Sequence, residues 1–186
     1  MTQISITSRS NIFAIEVVDS GTSEDVKSAP SEAVGRITVG EFTEGFPMNL
    51  SFWSASDYQR SWSHALQVLA EDENGVSCLI ASITDPENTN FIFSWPLYRS
   101  REDVYVQNAI IFLDELDGRF NPEEPWKFVD PHCTINEDGD RISEWPTGMA
   151  EINRFLASEK VNRVHLLKLQ GLDRAGAPVV SRPRPH

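Results

Sequence analysis

The chain has 186 residues, of which 40% are apolar and 10% aromatic, and its formal net charge is −12. That length suits one domain over residues 1–186 with a real core, and no apolar run approaches the roughly 18 to 20 residues a membrane span needs. So large an acidic excess is repelled by phosphate backbones, which argues against direct nucleic-acid binding. The first twenty residues hold no apolar stretch of signal-peptide length. Cys78 and Cys133 stand far apart in settings that suit reduced thiols, so a cytoplasmic protein is expected.

Phe13, Ile15 and Val17 alternate with smaller or polar residues and predict a first strand. Residues 19–35 are rich in Ser, Gly, Ala and Pro without periodicity, which predicts a loop or partly disordered stretch. A second strand is expected over "RITVGEF", residues 36–42. In "SASDYQRSWSHALQVLAEDENG", Tyr58, Trp62, Ala65, Leu66 and Leu69 share one helical face, with Ser54 or Ser56 as the N-cap and Asn74-Gly75 as the stop. "SCLIASI" then reads as a strand and "TDPENTN" as a turn.

The segment "NTNFIFSWPLYRSREDVYVQNAIIFLDELDGRF" predicts a hairpin, with apolar residues on both faces of each strand. Phe91, Phe93, Trp95, Val106, Ile110 and Phe112 are expected in the core, and Pro96, which has no N–H to donate, should break the pairing locally. Beyond it, "NPEEPWKFVDP" suits one or two helical turns limited by Pro125 and Pro131. "NEDGD" suits a turn and "RISEW" a short strand. "TGMAEINRFLASEK" places Met149, Ile152, Phe155 and Leu156 on one face of a second helix capped by Thr147. "VHLLKLQGLDRAGAPVV" suits a strand, turn and strand, followed by a frayed tail over 181–186. Few helices and sequence-adjacent strands give the class α+β, one domain with an antiparallel sheet and two main amphipathic helices.

Chemistry leaves little trace. There is no G-x-S-x-G, phosphate loop, H-E-x-x-H or C-x-x-C motif. His132 and Cys133 are adjacent, so in a strand their side chains diverge. "NEDGD" lacks the alternating ligands and the bidentate Glu of a calcium loop. No cofactor or metal is therefore expected. Charge is segregated instead: Asp114 to Glu144 holds ten carboxylates against Arg119, Lys127 and Arg141, whereas the stretch from Arg154 onward is basic. Two readings stay open. The acidic segment is a binding face for a basic protein, or the chain is a small acidic enzyme, such as a hydrolase, with a carboxylate site near Asp114, Glu115 or Asp117. For any single carboxylate, a plainly solvated surface is the simpler account.

The order of "LSFWSASDYQRSW", "DPENTNFIFSWPLY", "VYVQNAIIFLDEL" and "GDRISEW" resembles immunity proteins (the CdiI family) of bacterial contact-dependent growth inhibition systems, of the type that pairs with a nuclease toxin domain. The likeness spans about residues 46–158, and residues 1–45 and 160–186 have no counterpart in it. The resemblance implies an α+β fold with a curved antiparallel sheet, no catalytic residues, a cytoplasmic location and binding of the C-terminal toxin domain delivered by sister cells. On that reading the toxin-binding candidates are Asp114, Glu115, Asp117, Glu123, Glu124, Asp138, Asp140 and Glu144, with Tyr98 and Tyr105 as apolar anchors.

Overall fold

The alternation at Phe13 and Ile15 becomes a strand, β1 (Phe13–Asp19), with both side chains buried. A computed structural model describes residues 12–19 and 31–161. β1 pairs antiparallel with β2 (Glu32–Val39), Ile15 facing Ile37, and β2 pairs along its length with β3 (Phe42–Asn49). Gly40, at φ 62°, makes the tight turn between them, a left-handed conformation that costs glycine little. The strand expected over 36–42 is thus the end of one strand, a turn and the start of another. Residues 32–35, expected in a loop, belong to β2, while 20–30 lie outside the described residues. β3 escapes pattern reading because Gly45 and Pro47 stand in it; as an edge strand it tolerates the proline.

α1 (Ala55–Glu71) starts at a capping box: Asp57 N donates to Ser54 Oγ at 3.3 Å and Ser54 N to the Asp57 carboxylate at 2.8 Å. It buries the face read from the sequence, Tyr58, Trp62, Ala65, Leu66 and Leu69. Its C-cap is Asp72, and Asn74 and Gly75 belong to the turn that follows. The helix lies on β4 (Val76–Ser82), where Trp62 Nε1 donates to Ile80 O at 2.8 Å and Ser77 Oγ to Ala65 O at 2.6 Å. Tyr58 OH donates to Asn49 O at 2.8 Å and accepts from Ile83 N at 2.9 Å, tying the ends of β3 and β4 to the helix.

The second sheet runs β4-β5-β6-β8, with β7 also on β5. β5 (Phe91–Ser100) faces β6 (Asp103–Gln107) and β7 (Ala109–Phe112) in one continuous register, Leu97 opposite Val106 and Ser94 opposite Ala109. β6 and β7 are therefore one strand interrupted at Asn108, next to the position across from Pro96. The missing N–H of Pro96 accounts for the gap.

β8 (Glu144–Gly148) pairs with β6, three residues later than the strand expected over 141–145. Thr147 stands in β8 opposite Val104 and its buried hydroxyl has no partner, so it does not cap the following helix. That helix, α2 (residues 149–161), buries Met149, Ile152 and Leu156, and Phe155 meets Phe13 edge-on at 5.7 Å. The strands and tail expected beyond residue 161 lie outside the described residues.

Among the described residues the class is α+β with two amphipathic helices, and the antiparallel strands are divided between two sheets. Aromatic rings join them: Phe42 stacks on Trp145 at 3.7 Å, and Phe46 lies 6.2 Å from both Trp62 and Trp95. Trp95 and Val106 are fully buried. Phe91, Phe93, Ile110 and Phe112 are not; they are 42–47% exposed, which corrects the expectation that all six are core residues. The rings of β3 reach Trp95, and beyond it the same face of β5 and β7 is open among the described residues.

Candidate functional site

The acidic segment hangs from a few apolar pegs. After β7 the chain makes a 3₁₀ turn, Leu113–Glu115, in which Leu113 N donates to Asn90 O at 2.7 Å, and Asp114, Glu115 and Asp117 are exposed around it. Phe120 is buried and lies 5.0 Å from Phe128 of a second 3₁₀ turn, Pro125–Phe128. Trp126 in that turn meets His64 of α1 edge-on at 5.4 Å, so His64 is a packing residue at the surface. Glu124 pairs with Lys127 Nζ at 2.7 Å and accepts from Asn121 Nδ2 at 3.1 Å. Chiefly through the bond from Lys127, its carboxyl is held below its ordinary value. Glu123 lines a cleft of about 360 Å³ on α1 beside Asp57 and Arg60, but Asp57 is committed to Ser54 and Arg60.

Further along, Tyr98 and Tyr105 face each other across β5 and β6 and stack on one imidazole, that of His132, at 4.7 and 5.4 Å. His132 Nε2 lies 2.6 Å from Glu144 Oε2. Gln107 Nε2 donates to that same oxygen at 3.2 Å and to Cys133 O at 2.9 Å. Tyr98 OH donates to Asp130 O at 2.9 Å, and burial pushes its phenol up to about 12. These groups fasten residues 130–133 to the sheet.

Tyr98, only 7% exposed, serves as a clamp and leaves little surface for the anchoring role expected of it. Tyr105 is half-buried under His132, and the Glu144 side chain is 20% exposed. Cys133 Sγ donates to Ile135 O at 2.8 Å and not to His132, so the adjacent pair forms no nucleophile and base. Asp138 and Asp140 sit on a hydrogen-bonded turn closed by Asn136 N donating to Asp140 O at 2.8 Å, with Gly139 at φ 87°. Among the described residues no three His, Cys, Asp or Glu are grouped to hold a metal. Cys78 and Cys133 are both free, and burial pushes the Cys78 thiol up to about 12.

The expected carboxylates thus fall into separate places: Asp114, Glu115 and Asp117 after β7, Glu123 and Glu124 near α1, Asp138 and Asp140 on a turn tip, and Glu144 inside the clamp. A groove of about 490 Å³ runs between β7 and residues 128–142, lined among others by Ile110, Phe112, Glu115, Leu116, Ile135 and Glu137. Spread in this way the exposed acids supply a negative field over a surface rather than a paired acid and base. The exposed apolar residues beside them were missed in the sequence, because apolar residues on both faces of a strand hide which face is covered.

Residues 48–155 match the family model of the CdiI N-terminal domain. The chain is 40% identical over 122 residues to the immunity protein CdiI of Enterobacter cloacae subsp. cloacae, a match covering 66% of this chain and 83% of that relative. The fold matches a chain of the solved CdiA-CT/CdiI toxin and immunity complex from Enterobacter cloacae with a TM-score of 0.67 and 36% identity, over 79% of this chain and 97% of that one.

Proposed function

The chain belongs to the CdiI N-terminal domain family, and from that membership we propose that it is an immunity protein, which binds and neutralises the C-terminal toxin domain of a cognate CdiA protein. The observation that carries this reading is the 40% identity to a relative named immunity protein CdiI. Agreement in fold with a chain of a toxin and immunity complex supports it. No described helix is long and apolar enough to cross a membrane. The site of action in this proposal is the cytoplasm of the producing cell, and the mode of action is occlusion without turnover.

The toxin in this proposal is a nuclease. An enzyme that cleaves nucleic acid presents cations to its substrate, and a protein of net charge −12 competes with phosphate for them. The contact set is drawn from Asp114, Glu115, Asp117, Glu123, Glu124, Asp138 and Asp140, with Glu144 and Tyr105 marginal because of their part in the clamp. Asp114, Glu115 and Asp117 are foremost, being exposed on one short segment.

Coexpression with the CdiA C-terminal domain encoded at the same locus tests the proposal. Growth is expected to be restored by this protein, and the two should copurify. Continued toxicity without copurification would sink it. Reversing Asp114, Glu115 and Asp117 to Lys together should weaken protection while the free protein keeps its stability, because exposed substitutions shift it by about 0.5 kcal/mol or less.

A further inference from the structure

Phe91, Phe93, Ile110 and Phe112 stand on one face of β5 and β7, as the directly opposed pairs Phe91 with Phe112 and Phe93 with Ile110. The rings of Phe91 and Phe93 meet edge-on at 5.3 Å. On the opposite face of the same strands Ile92, Ser94 and Ile111 are buried. Each residue of the patch is 42–47% exposed, so together they present on the order of 300–400 Å² of apolar surface, given side chains of about 150–250 Å². A patch of that size is in the range of the largest that a typical monomer exposes, and such patches are often functional, whereas single exposed apolar residues need no explanation.

The rim identifies the partner's chemistry. Leu113 N donates to Asn90 O, which brings the loop before β5 against the segment after β7. That junction carries Asp85, Glu87, Asp114, Glu115 and Asp117. The cation at hand is Arg119, and it is already paired with Glu87. An apolar surface flanked at one end by carboxylates matches a cationic protein surface that offers apolar side chains of its own. It does not match a second copy of this chain, whose corresponding rim would repel it.

We propose that the Phe91, Phe93, Ile110 and Phe112 patch is the apolar anchor on which the cationic toxin domain seats, with Asp114 and Glu115 at its rim. This inference rests on the immunity reading and adds to it the place from which affinity comes. Charges at a rim govern the association rate and specificity, while desolvated aromatic residues at the centre of an interface carry most of the free energy.

The test is the affinity of Phe93→Ser, Phe112→Ser and the milder Ile110→Thr for the CdiA C-terminal domain of the same locus. Val34→Ser serves as control, an equally exposed apolar residue, 45% exposed, on β2. Phe93→Ser and Phe112→Ser should each raise Kd by about 30-fold or more, mainly through faster dissociation, and Val34→Ser should leave it unchanged.

If wild type binds and all three patch variants bind equally well, the inference is wrong and the immunity reading stands. If wild type does not bind, both fall. Wild-type dimers that dissociate on Phe93→Ser with toxin affinity unchanged would give the patch to a second copy and overturn the inference. A melting temperature lowered by about 10 °C in free Ile110→Thr would also overturn it, since the patch would then be covered within the free chain.

Discussion

Gly35 is held open by an aromatic ring, and the consequence of closing that space follows from the geometry. A Cβ built on Gly35 would lie 2.3 Å from Phe46 Cε2, 2.4 Å from Cζ and 3.0 Å from Met48 Sδ. Phe46 stands directly across from Gly35 in the β2–β3 ladder and is itself buried. Its ring has nowhere to swing, being edge-on to Trp62 and tilted against Trp95, both at 6.2 Å and both buried. Overpacking of this kind costs about 1–3 kcal/mol. Replacing glycine by alanine restricts the unfolded chain and returns about 0.4–1 kcal/mol. Gly35→Ala should therefore destabilise by about 1–2 kcal/mol, a melting temperature lower by about 2–8 °C for a domain of this size. Urea unfolding followed by tryptophan fluorescence measures it. Phe46→Leu in the same chain should relieve part of the loss, giving a coupling of at least about 0.5 kcal/mol in a double-mutant cycle. Stability equal to or above wild type in Gly35→Ala would refute the reasoning.

Ser54→Ala removes half of the capping box and should cost about 1 kcal/mol at neutral pH. Hydrogen bonds from Ser54 hold the Asp57 carboxyl below its ordinary 3.8, so the stability it contributes is present above 3.8 and lost as the pH falls through the lower folded value. The gap between wild type and Ser54→Ala in thermal melts should narrow on that descent, and a constant gap would count against the assignment. Trp95→Ala should cost about 3–5 kcal/mol, whereas Phe93→Ala, two residues along on the open face, should cost less than about 1 kcal/mol. Equal losses in urea titrations would mean that the face is covered. Association with the toxin domain should slow as salt rises from about 0.05 to 0.5 M while dissociation changes less. Stopped-flow rates independent of salt would remove the acidic rim from the encounter.

The readable parts of the sequence were those where two local signals agree. α1 carries both a capping box at Ser54 and a five-residue buried stripe, and it forms as read apart from its last turn. Pro96 marked the interruption of the long hairpin because a missing N–H acts locally. β3 was not readable, since its alternation is confined to Phe46 and Met48 around Pro47. β8 contains Pro146 and Gly148, residues that signal a turn, which pulled the expected strand toward Arg141 and made Thr147 look like a cap.

The acidic segment was plain from composition, but its dispersal over four places depends on where Phe120, Pro125 and Tyr98 fasten it, which no periodicity records. The faces of β5 and β7 were ambiguous for a different reason. Apolar residues meant for a partner and those meant for the core are the same residues, and tertiary packing alone separates them.

The central claim is tested most directly by titrating the purified protein into the CdiA C-terminal domain encoded at its locus, in a calorimeter at physiological salt. The predicted result is a one-to-one complex with a Kd of about 10 nM or tighter, in which the toxin domain has lost its activity. A toxin domain that stays active with this protein in excess, and no heat of binding, would contradict it.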